Sequence, residues 1–582
     1  QEGGFQQVAS RIASLLQAAP PASLWDLLGR AREFLPLLRV PPRAVRRGIC
    51  QEVVHLASRG EVDLRRLPLI KCWPLDGDPL AVGFGLTAEQ AGTREGEGRY
   101  ITFAGVHTIR AEDQGLERPP SHNIGMYRLQ LVGPRHLVMH WHMHHDGAAH
   151  WRSFKARGER MPVAICFGGE PVLPYAATAP LPPRVSELLM AGFLNGRGIP
   201  LVPAKTVPIR VPANSELVIE GYVSHECGMP GYDPRVCSDG IGPGAVFEGP
   251  FGDHTGFYSL PDRYPLVEVT AVTRRKQAIF PATVVGLPPQ EDYYLGKATE
   301  RIFLPPLRLM TPDIEDYHLP MFGCFHNFVF VRIRKEYPLQ GRRVMMSLWG
   351  AGQMAWTKYI VVVDGDVDVH DQDQVLKAVF ERCHFGRDLE RINGPLDILD
   401  HAAPRLGAGS KLGFDATRKV PGEELSGIPL TPGPEYRVLT EDDRGFISDQ
   451  LLGKAGIASV SVPEVAGGRL LVVGVEGRGV SPGREALQAV LKRPRRAASE
   501  MVIAVGMRVN TDDLDDVLFH LCANTDPGRD LLRDGGGIGF DATAKLSSGG
   551  DGAQPVRDFP PILEMSEEIR GLVDRRWDEY GF

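Results

Sequence analysis

With 582 residues, of which 43% are hydrophobic and 24% charged, the chain has material for several buried cores and divides into roughly three or four domains. A formal net charge of −7 excludes a surface built to hold nucleic acid, which needs a clustered basic excess. The eight cysteines are scattered without a CxxC pair, which excludes a dense disulfide framework and favours a reducing compartment.

The opening segment "QEGGFQQVASRIASLLQ" lacks the basic n-region and unbroken apolar core of a secretory signal. No later window approaches the about 18 apolar residues of a membrane span, so a cytoplasmic protein without stable membrane insertion is expected. The chain starts at Gln1 rather than Met, so further residues upstream are expected. Residues 6–60 read as helical, with "VASRIASLL" and "SLWDLLGRAREFLPLL" placing apolar residues three and four apart. From "RYITFAGVHTI" onward the texture changes to short β-branched or alternating runs, among them "MYRLQLVG", "MPVAICFG", "ELVIEGYV" and "FVFVRIRK", punctuated by Gly and Pro. That is strand chemistry, and it predicts a mostly antiparallel sheet or split barrel.

After residue 335 the pattern turns α/β. "KYIVVVDGDVDVHD" is an unbroken apolar run ending in acids, which predicts a parallel strand covered on both faces, and "QDQVLKAVFERC" follows at helical spacing. An internal repeat then appears: "IVVVDGDVDVHDQDQVLKAVF…GRDL…GSKLGFDATRK" is matched by "VIAVGMRVNTDDLDDVLFHLC…GRDL…GGIGFDATAK". Lys411 of the first copy stands where the second has Gly537. The expected organisation is a mixed α/β (α+β) protein. It comprises an N-terminal α/β domain over 1–110, a split β-barrel over 111–320, a C-terminal α/β domain over 321–420, and a linker with a degenerate second copy over 421–582.

The stretch "VMHWHMHHDGAAH" (138–150) holds five of the 17 histidines, a density open to metal binding, base catalysis or a titrating surface patch. On a strand, His140, His142 and His144 share one face, and His145 starts the next turn. His136 and His150 are read as ordinary histidines.

Three segments, "HNIGMYR" (122–128), "EGPFGDHTGFY" (248–258) and "GSKLGFDAT" (409–417), resemble in the same order the signature segments of the UbiD family of reversible decarboxylases, which use prenylated FMN. The likeness runs from about residue 47 to 419. Within the family, "LPLIKCWPLDGD", "PPQEDYYLGKATERIFL" and "LWGAGQMAWTKYIVVVDGDVDVHD" are similar to the decarboxylases of menaquinone biosynthesis by the futalosine route. The resemblance implies a flavin-binding split barrel and a carboxy-lyase. The implied reaction is loss of CO2 from a hydroxylated naphthoate-type acid, 1,4-dihydroxy-6-naphthoate. Two alternatives are the 4-hydroxy-3-polyprenylbenzoate decarboxylase of ubiquinone synthesis and a catalytically silent flavin-binding or scaffold subunit of a carboxylase complex.

The resemblance places Arg128 and Glu248 as an ion pair near the reacting carbon and Asp253, where many relatives carry Glu, as proton donor. Two carboxylates in one apolar pocket disfavour double ionisation, so one is expected to keep its proton while Arg128 holds Glu248 charged. Flavin contacts are implied at Met126, Tyr127, Arg128, His140, Trp141, His142, His145 and Asp146. Lys411 is assigned to the flavin phosphate, with an ordinary surface lysine as its alternative. The family's metal ligands transfer to Asn123, Glu187 and His144, with His145 the alternative to His144. Oxygen donors with one nitrogen suit Mn²⁺ or Mg²⁺, and a nearby K⁺ is a further family expectation.

His142 and His145 stand where relatives carry Gln and Lys or Arg, so flavin retention is expected to depend on pH between about 5.5 and 8.5. An insertion, "SHECGMPGYDPRVCSDGIGPGA" (224–245), brings His225, Cys227 and Cys237. Without a CxxC pair it reads as a loop rather than a zinc site. The resemblance also implies a small aromatic acid as substrate, a flavin prenyltransferase as supplier of the cofactor, and a homodimer or larger homo-oligomer.

Overall fold

A computed structural model describes residues 2–16, 38–82, 98–182, 185–226, 245–425, 427–428, 430, 441–476, 482–492, 500–534, 537–545 and 556–581. The chain forms two compact units, one of Gln1–Gln17 with Asp292–Phe559, the other of Ala18–Glu291 with Pro560–Phe582. Among the described residues no helix is long and apolar enough to cross a membrane.

The unit of Ala18–Glu291 with Pro560–Phe582 is organised by one long strand, Asp262–Arg274, whose residues "DRYPLVEVTAVTR" alternate toward and away from the core. It pairs antiparallel with Ala245–Glu248, His136–Met139, Leu217–Val223 and Val53–Leu56, so a single strand sets the register of four others. The resulting ten-stranded sheet, antiparallel throughout, curls into a half-barrel. Its inner face is closed by Leu129, Leu137, Met139, Val163, Ile165, Ile219 and Val267. Trp151 and Phe154 of the helix Asp146–Lys155 pack on the same core.

Two expectations are corrected here. Residues 43–60 form no α-helix: Arg43–Ala44 and Val53–Leu56 are strands, with single 3-10 turns at Ile49–Gln51 and Ala57–Arg59, and a short apolar run such as "VVHL" fits either period until a partner is available. The boundary expected at residue 110 falls inside the sheet, because Tyr100–Ile101 and Gly105–Thr108 pair into it. The remaining part of the early helical reading, 17–37, lies outside the described residues.

In the other unit the predicted parallel strand is Tyr359–Asp364, buried along its whole length between Phe328–Ile333 and Ala408–Asp415. The repeat is a duplicated sheet. Ile314–His318, Phe328–Ile333, Tyr359–Asp364, Leu389–Pro395 and Ala408–Asp415 recur with the same order and directions as Ile457–Ser461, Leu470–Val475, Met501–Gly506, Leu531–Asp534 and Gly537–Asp541. Each copy therefore begins two strands earlier than the sequence repeat. Those strands need only be apolar and β-branched, which leaves no matching letters.

The repeated letters hold each copy's frame. Arg387 pairs with Asp388 at 2.6 Å, the Asp388 carbonyl accepts from Asp415 N–H at 2.9 Å, and Thr417 Oγ1 donates to Asp415 Oδ1 at 2.5 Å. Arg529, Asp530, Asp541 and Thr543 repeat this at 2.8, 3.0 and 2.5 Å.

Candidate active site

Arg128 sits where the chain bridges the opening of the half-barrel. Asn123–Met126 is the last strand at one end of the sheet, and Leu129–Gly133 lies next to the other end, so Tyr127 and Arg128 span the gap. The hairpin of Leu129–Gly133 with His136–Met139 returns the chain, and His140 N–H donates to the Arg128 carbonyl at 3.3 Å. Ala245–Glu248 pairs with the start of the long strand, Glu248 opposite Asp262, which delivers the Glu248 carboxylate to the same place.

There Arg128 Nε and Nη2 donate to Glu248 Oε1 and Oε2 at 2.8 and 2.9 Å, a bidentate clamp. Nη1 donates to Asp253 Oδ2, and Nη2 also reaches Ser259 Oγ at 2.9 Å. The guanidinium carbon lies 4.6 Å from the centre of the Phe251 ring. Burial alone would raise Glu248, but the Arg128 charge and the hydrogen bonds from His140 and Arg128 outweigh it and lower the group from 4.5 to about 2. Asp253 is also held below the usual carboxylate range, because the His254 hydrogen bond and the Arg128 charge exceed the effect of burial. The expectation that one acid keeps its proton is thus corrected: a guanidinium bonded to both acids stabilises both charges.

The loop that carries Asp253 is fixed from several directions. Tyr100 Oη donates to the Gly249 and Pro250 carbonyls, each at 3.1 Å. Gln130 Oε1 accepts from Gly249 N–H at 2.8 Å, and Asp76 Oδ1 accepts from Gly252 N–H at 2.8 Å. Asp76 Oδ2 takes the N–H groups of Cys72 and Trp73, yet burial still pushes the acid up to about 6. From the end of the chain, Pro561 O accepts from Tyr258 N–H at 3.1 Å and Leu563 N–H donates to Gly256 O at 2.9 Å. Gly249 has no room for a side chain, since a Cβ would lie 2.4 Å from the Gly77 backbone.

The histidines form a hydrogen-bonded file rather than a patch. His140 Nδ1 donates to Glu248 Oε2 at 2.7 Å, because an ionised carboxylate can only accept. His140 Nε2 must then accept, and it does so from His142 Nε2 at 2.8 Å. His145 Nδ1 accepts from the His142 backbone N–H at 3.1 Å, and the two rings stack at 4.6 Å. Burial and the neighbouring histidines hold His142 well below 6.5. It therefore stays neutral across the range in which pH-dependent flavin retention is expected, and that expectation finds no titrating charge at His142.

On the metal side, Glu187 opens the helix Glu187–Leu194 behind its N-cap Ser186. Glu187 Oε2 accepts from Ile124 N–H at 2.8 Å, next to Asn123, whose Nδ2 donates to Thr108 Oγ1 at 3.4 Å. Burial pushes Glu187 up to about 7, and the nearby Asp146 charge adds to the rise. A buried acid beside a second acid calls for a cation. The ligand atoms of His142, His144 and His145 lie within 4.8 Å of one another. Tyr127 Oη accepts from Gly147 N–H at 3.2 Å, and Trp141 Nε1 is buried without a hydrogen-bond partner among the described residues, as expected of a donor waiting for a ligand. These features fit a flavin and its metal.

Lys411 belongs to the unit of Asp292–Phe559 and is fully buried, its ammonium donating to the Ala355 carbonyl; burial lowers it to about 8. It is therefore not a surface lysine, and its partner is a backbone carbonyl. His150 is an ordinary core histidine bonded to Thr108 Oγ1 at 2.9 Å. Cys227, Cys237 and most of the 224–245 insertion lie outside the described residues. Sequence reasoning missed His254, whose Nδ1 lies 2.7 Å from Asp253 Oδ1. It also missed Asp76, Tyr100, Gln130 and Ser259. Their signal was weak: His254 follows Asp253 directly, but no spacing rule connects residue 76 with residue 252.

Residues 43–288 match the model of the 3-octaprenyl-4-hydroxybenzoate carboxy-lyase Rift-related domain, and residues 293–416 and 446–554 match the C-terminal domain of the same family. An uncharacterized protein of Aquifex aeolicus is 41% identical over 415 residues, 71% of this chain and 76% of that protein. The UbiD-class enzyme HmfF from Pelotomaculum thermopropionicum, in complex with FMN, is similar in structure with a TM-score of 0.51 at 26% identity, covering 68% of this chain and 80% of that one. The closed form of vanillic acid decarboxylase from Sedimentibacter hydroxybenzoicus shares the fold with a TM-score of 0.54 at 24% identity, over 77% and 85% of the two chains. The half-barrel with its Arg128–Glu248–Asp253 clamp, the duplicated C-terminal sheet and these matches make the chain a member of the UbiD family of carboxy-lyases.

Proposed function

We propose that this protein is a prenylated-FMN-dependent decarboxylase of a hydroxylated naphthoate-type acid, 1,4-dihydroxy-6-naphthoate in menaquinone biosynthesis. The observation that carries the reading is the buried clamp of Arg128 on Glu248 and Asp253. Losing CO2 leaves an electron pair on a ring carbon that no side chain can hold, and the prenylated flavin supplies that electron sink when bound. The FMN complex of HmfF supports a flavin in this fold.

The side chains then have a divided task. Glu248 and Ser259 fix the plane of the Arg128 guanidinium, and His140 fixes Glu248 in turn. Asp253 is ionised in the free protein, so it must gain a proton before it can donate one to the ring carbon. His254, bonded to Asp253 Oδ1 and partly exposed, links that acid to solvent. An arriving substrate carboxylate adds negative charge beside Asp253 and raises its affinity for that proton, coupling proton uptake to substrate binding.

Asn123, Glu187 and His144 would hold Mn²⁺ or Mg²⁺ at the flavin phosphate, with K⁺ nearby. His144 is favoured over His145 because the His145 Nδ1 lone pair already takes the His142 N–H. A flavin prenyltransferase would supply the cofactor to a homo-oligomer. Against a silent scaffold subunit stands the intact clamp, which an inactive protein has no reason to keep buried. The test is expression with a flavin prenyltransferase, followed by CO2 release from the dihydroxynaphthoate and from a 4-hydroxy-3-polyprenylbenzoate. Turnover of the first alone supports the reading, turnover of the second alone moves it to ubiquinone synthesis, and turnover of neither by a flavin-loaded protein supports the scaffold.

A further inference from the structure

Within the unit of Asp292–Phe559, three metal-ligating side chains converge from separate elements. Glu300 comes from the helix Glu291–Ile302, His318 ends the strand Ile314–His318, and His370 precedes the helix Gln372–Arg382. Their ligand atoms lie within 4.8 Å of one another. His318 Nδ1 and His370 Nδ1 are 3.1 Å apart, His318 Nδ1 is 3.4 Å from Glu300 Oε2, and His370 Nδ1 is 4.0 Å from Glu300 Oε1. Ligand atoms around a tetrahedral zinc with bonds of about 2.0–2.1 Å sit roughly 3.3–3.4 Å apart, which the His318–His370 and His318–Glu300 edges approach, while His370 lies further off and nearer the other Glu300 oxygen.

The hydrogen bonds also assign both imidazoles. His370 Nε2 faces Asp316 Oδ2 at 3.2 Å, which puts the proton on Nε2 and the lone pair on Nδ1. His318 Nδ1 takes the Lys297 ammonium at 2.7 Å, so it too presents a lone pair. Two lone pairs facing each other at 3.1 Å repel unless a cation lies beside them. Lys297 is such a cation, and it donates further to Glu300 Oε2 at 3.0 Å and to the Leu319 carbonyl at 3.2 Å. Arg301 braces the surroundings, bonded to Asp316 Oδ1 at 2.7 Å and paired with Glu300 Oε1 at 3.0 Å. The His370 side chain is 38% exposed and that of Lys297 23%, so the place is open to solvent and the ammonium has a way out.

We propose that Glu300, His318 and His370 form a metal site for a borderline divalent ion such as Zn²⁺, which displaces the Lys297 ammonium when it binds. Two imidazole nitrogens with one carboxylate select Zn²⁺, Co²⁺ or Ni²⁺ over Mg²⁺ and Mn²⁺. Asp316 orients His370 as the outer carboxylate of a carboxylate–histidine–metal arrangement. The site is separate in residues and in ion preference from the one at Asn123, His144 and Glu187.

The test is to strip the full-length protein of metal, dialyse it against ZnCl2, and count bound zinc by mass spectrometry. The parent is expected to take up zinc of which His318→Ala and His370→Ala each lose one equivalent, an equivalent that Glu187→Gln keeps. Lys297→Met removes the competing ammonium and is expected to tighten zinc by about tenfold or more. Cobalt in place of zinc is expected to show the strong visible absorption of a four-coordinate ion, absent in His370→Ala. Failure of both the parent and Lys297→Met to retain zinc, or uptake unchanged in His370→Ala, would overturn the assignment. The Lys297→Met gain keeps the test decisive even where an alanine variant folds poorly.

Discussion

Arg128 meets two buried carboxylates and a serine hydroxyl at once, and this contact sets how the protein responds to acid. Glu248, lowered from 4.5 to about 2, binds a proton less readily folded than unfolded. Its pairing therefore contributes fully above about pH 4.5 and is lost as pH falls toward 2. Urea unfolding across that window is expected to show a flatter acid limb in Glu248→Gln than in the parent. His254 belongs to the same scale: His254→Gln keeps a hydrogen-bonding side chain but not the proposed proton relay. It is expected to cut kcat by roughly tenfold to a hundredfold and to shift the acid side of the pH–rate profile. An unchanged profile would remove His254 from the proton path. If Glu187, raised to about 7, holds the proposed metal, Mn²⁺ would compete there with a proton, so affinity in the metal-free protein is expected to fall by about tenfold per pH unit below 7. A manganese titration at pH 6 and pH 8 checks this. Arg128, Glu248 and Asp253 were legible because they lie in short motifs, whereas their protonation was not, since it depends on which groups meet across more than a hundred residues.

Among elements, the loop 249–259 is constrained by several others. It is held by Tyr100, Gln130 and Asp76, and by backbone bonds from Pro561 and Leu563. Tyr100→Phe deletes the hydroxyl that serves Gly249 and Pro250, and it is expected to cost about 1–2 kcal/mol in urea melts. Ending the chain at Phe559 removes the bonds from Pro561 and Leu563. Hydrogen exchange at Tyr258, whose N–H loses its Pro561 acceptor, is then expected to quicken while the rest of the half-barrel stays protected. Strand identity was largely legible, because the sheet needs alternating β-branched residues and the sequence supplies them. "VVHL" was misread as helical for want of a visible partner, and the strap at 561–563 had no periodicity to announce it.

At the scale of the whole molecule, the duplication ties its two copies together through buried polar groups. Lys358 of the first copy is fully buried, paired with Asp400 at 2.6 Å, and donates to the carbonyls of Cys522 and Thr525 in the second at 2.7 and 2.9 Å. Lys358→Met leaves Asp400 buried beside unsatisfied carbonyls and is expected to destabilise this unit by roughly 3–5 kcal/mol. Lys358→Met combined with Asp400→Leu is expected to recover part of that loss in thermal unfolding. The repeat was legible from GRDL and FDAT because those letters build each copy's frame. The contacts between copies were not, since Lys358 in one copy corresponds to Glu500 in the other and the pairing is not repeated.

The most direct measurement is CO2 release by the protein loaded with prenylated flavin, beside Asp253→Asn loaded to the same extent. The parent is expected to decarboxylate the dihydroxynaphthoate. The Asn variant, which keeps a hydrogen-bonding group at Arg128 but cannot carry the proton, is expected to be slower by roughly 10²–10⁴-fold with flavin absorbance unchanged. Equal rates in the two proteins would contradict the assignment of the proton to Asp253, and a loaded parent that releases no CO2 from aromatic acids would contradict the decarboxylase itself.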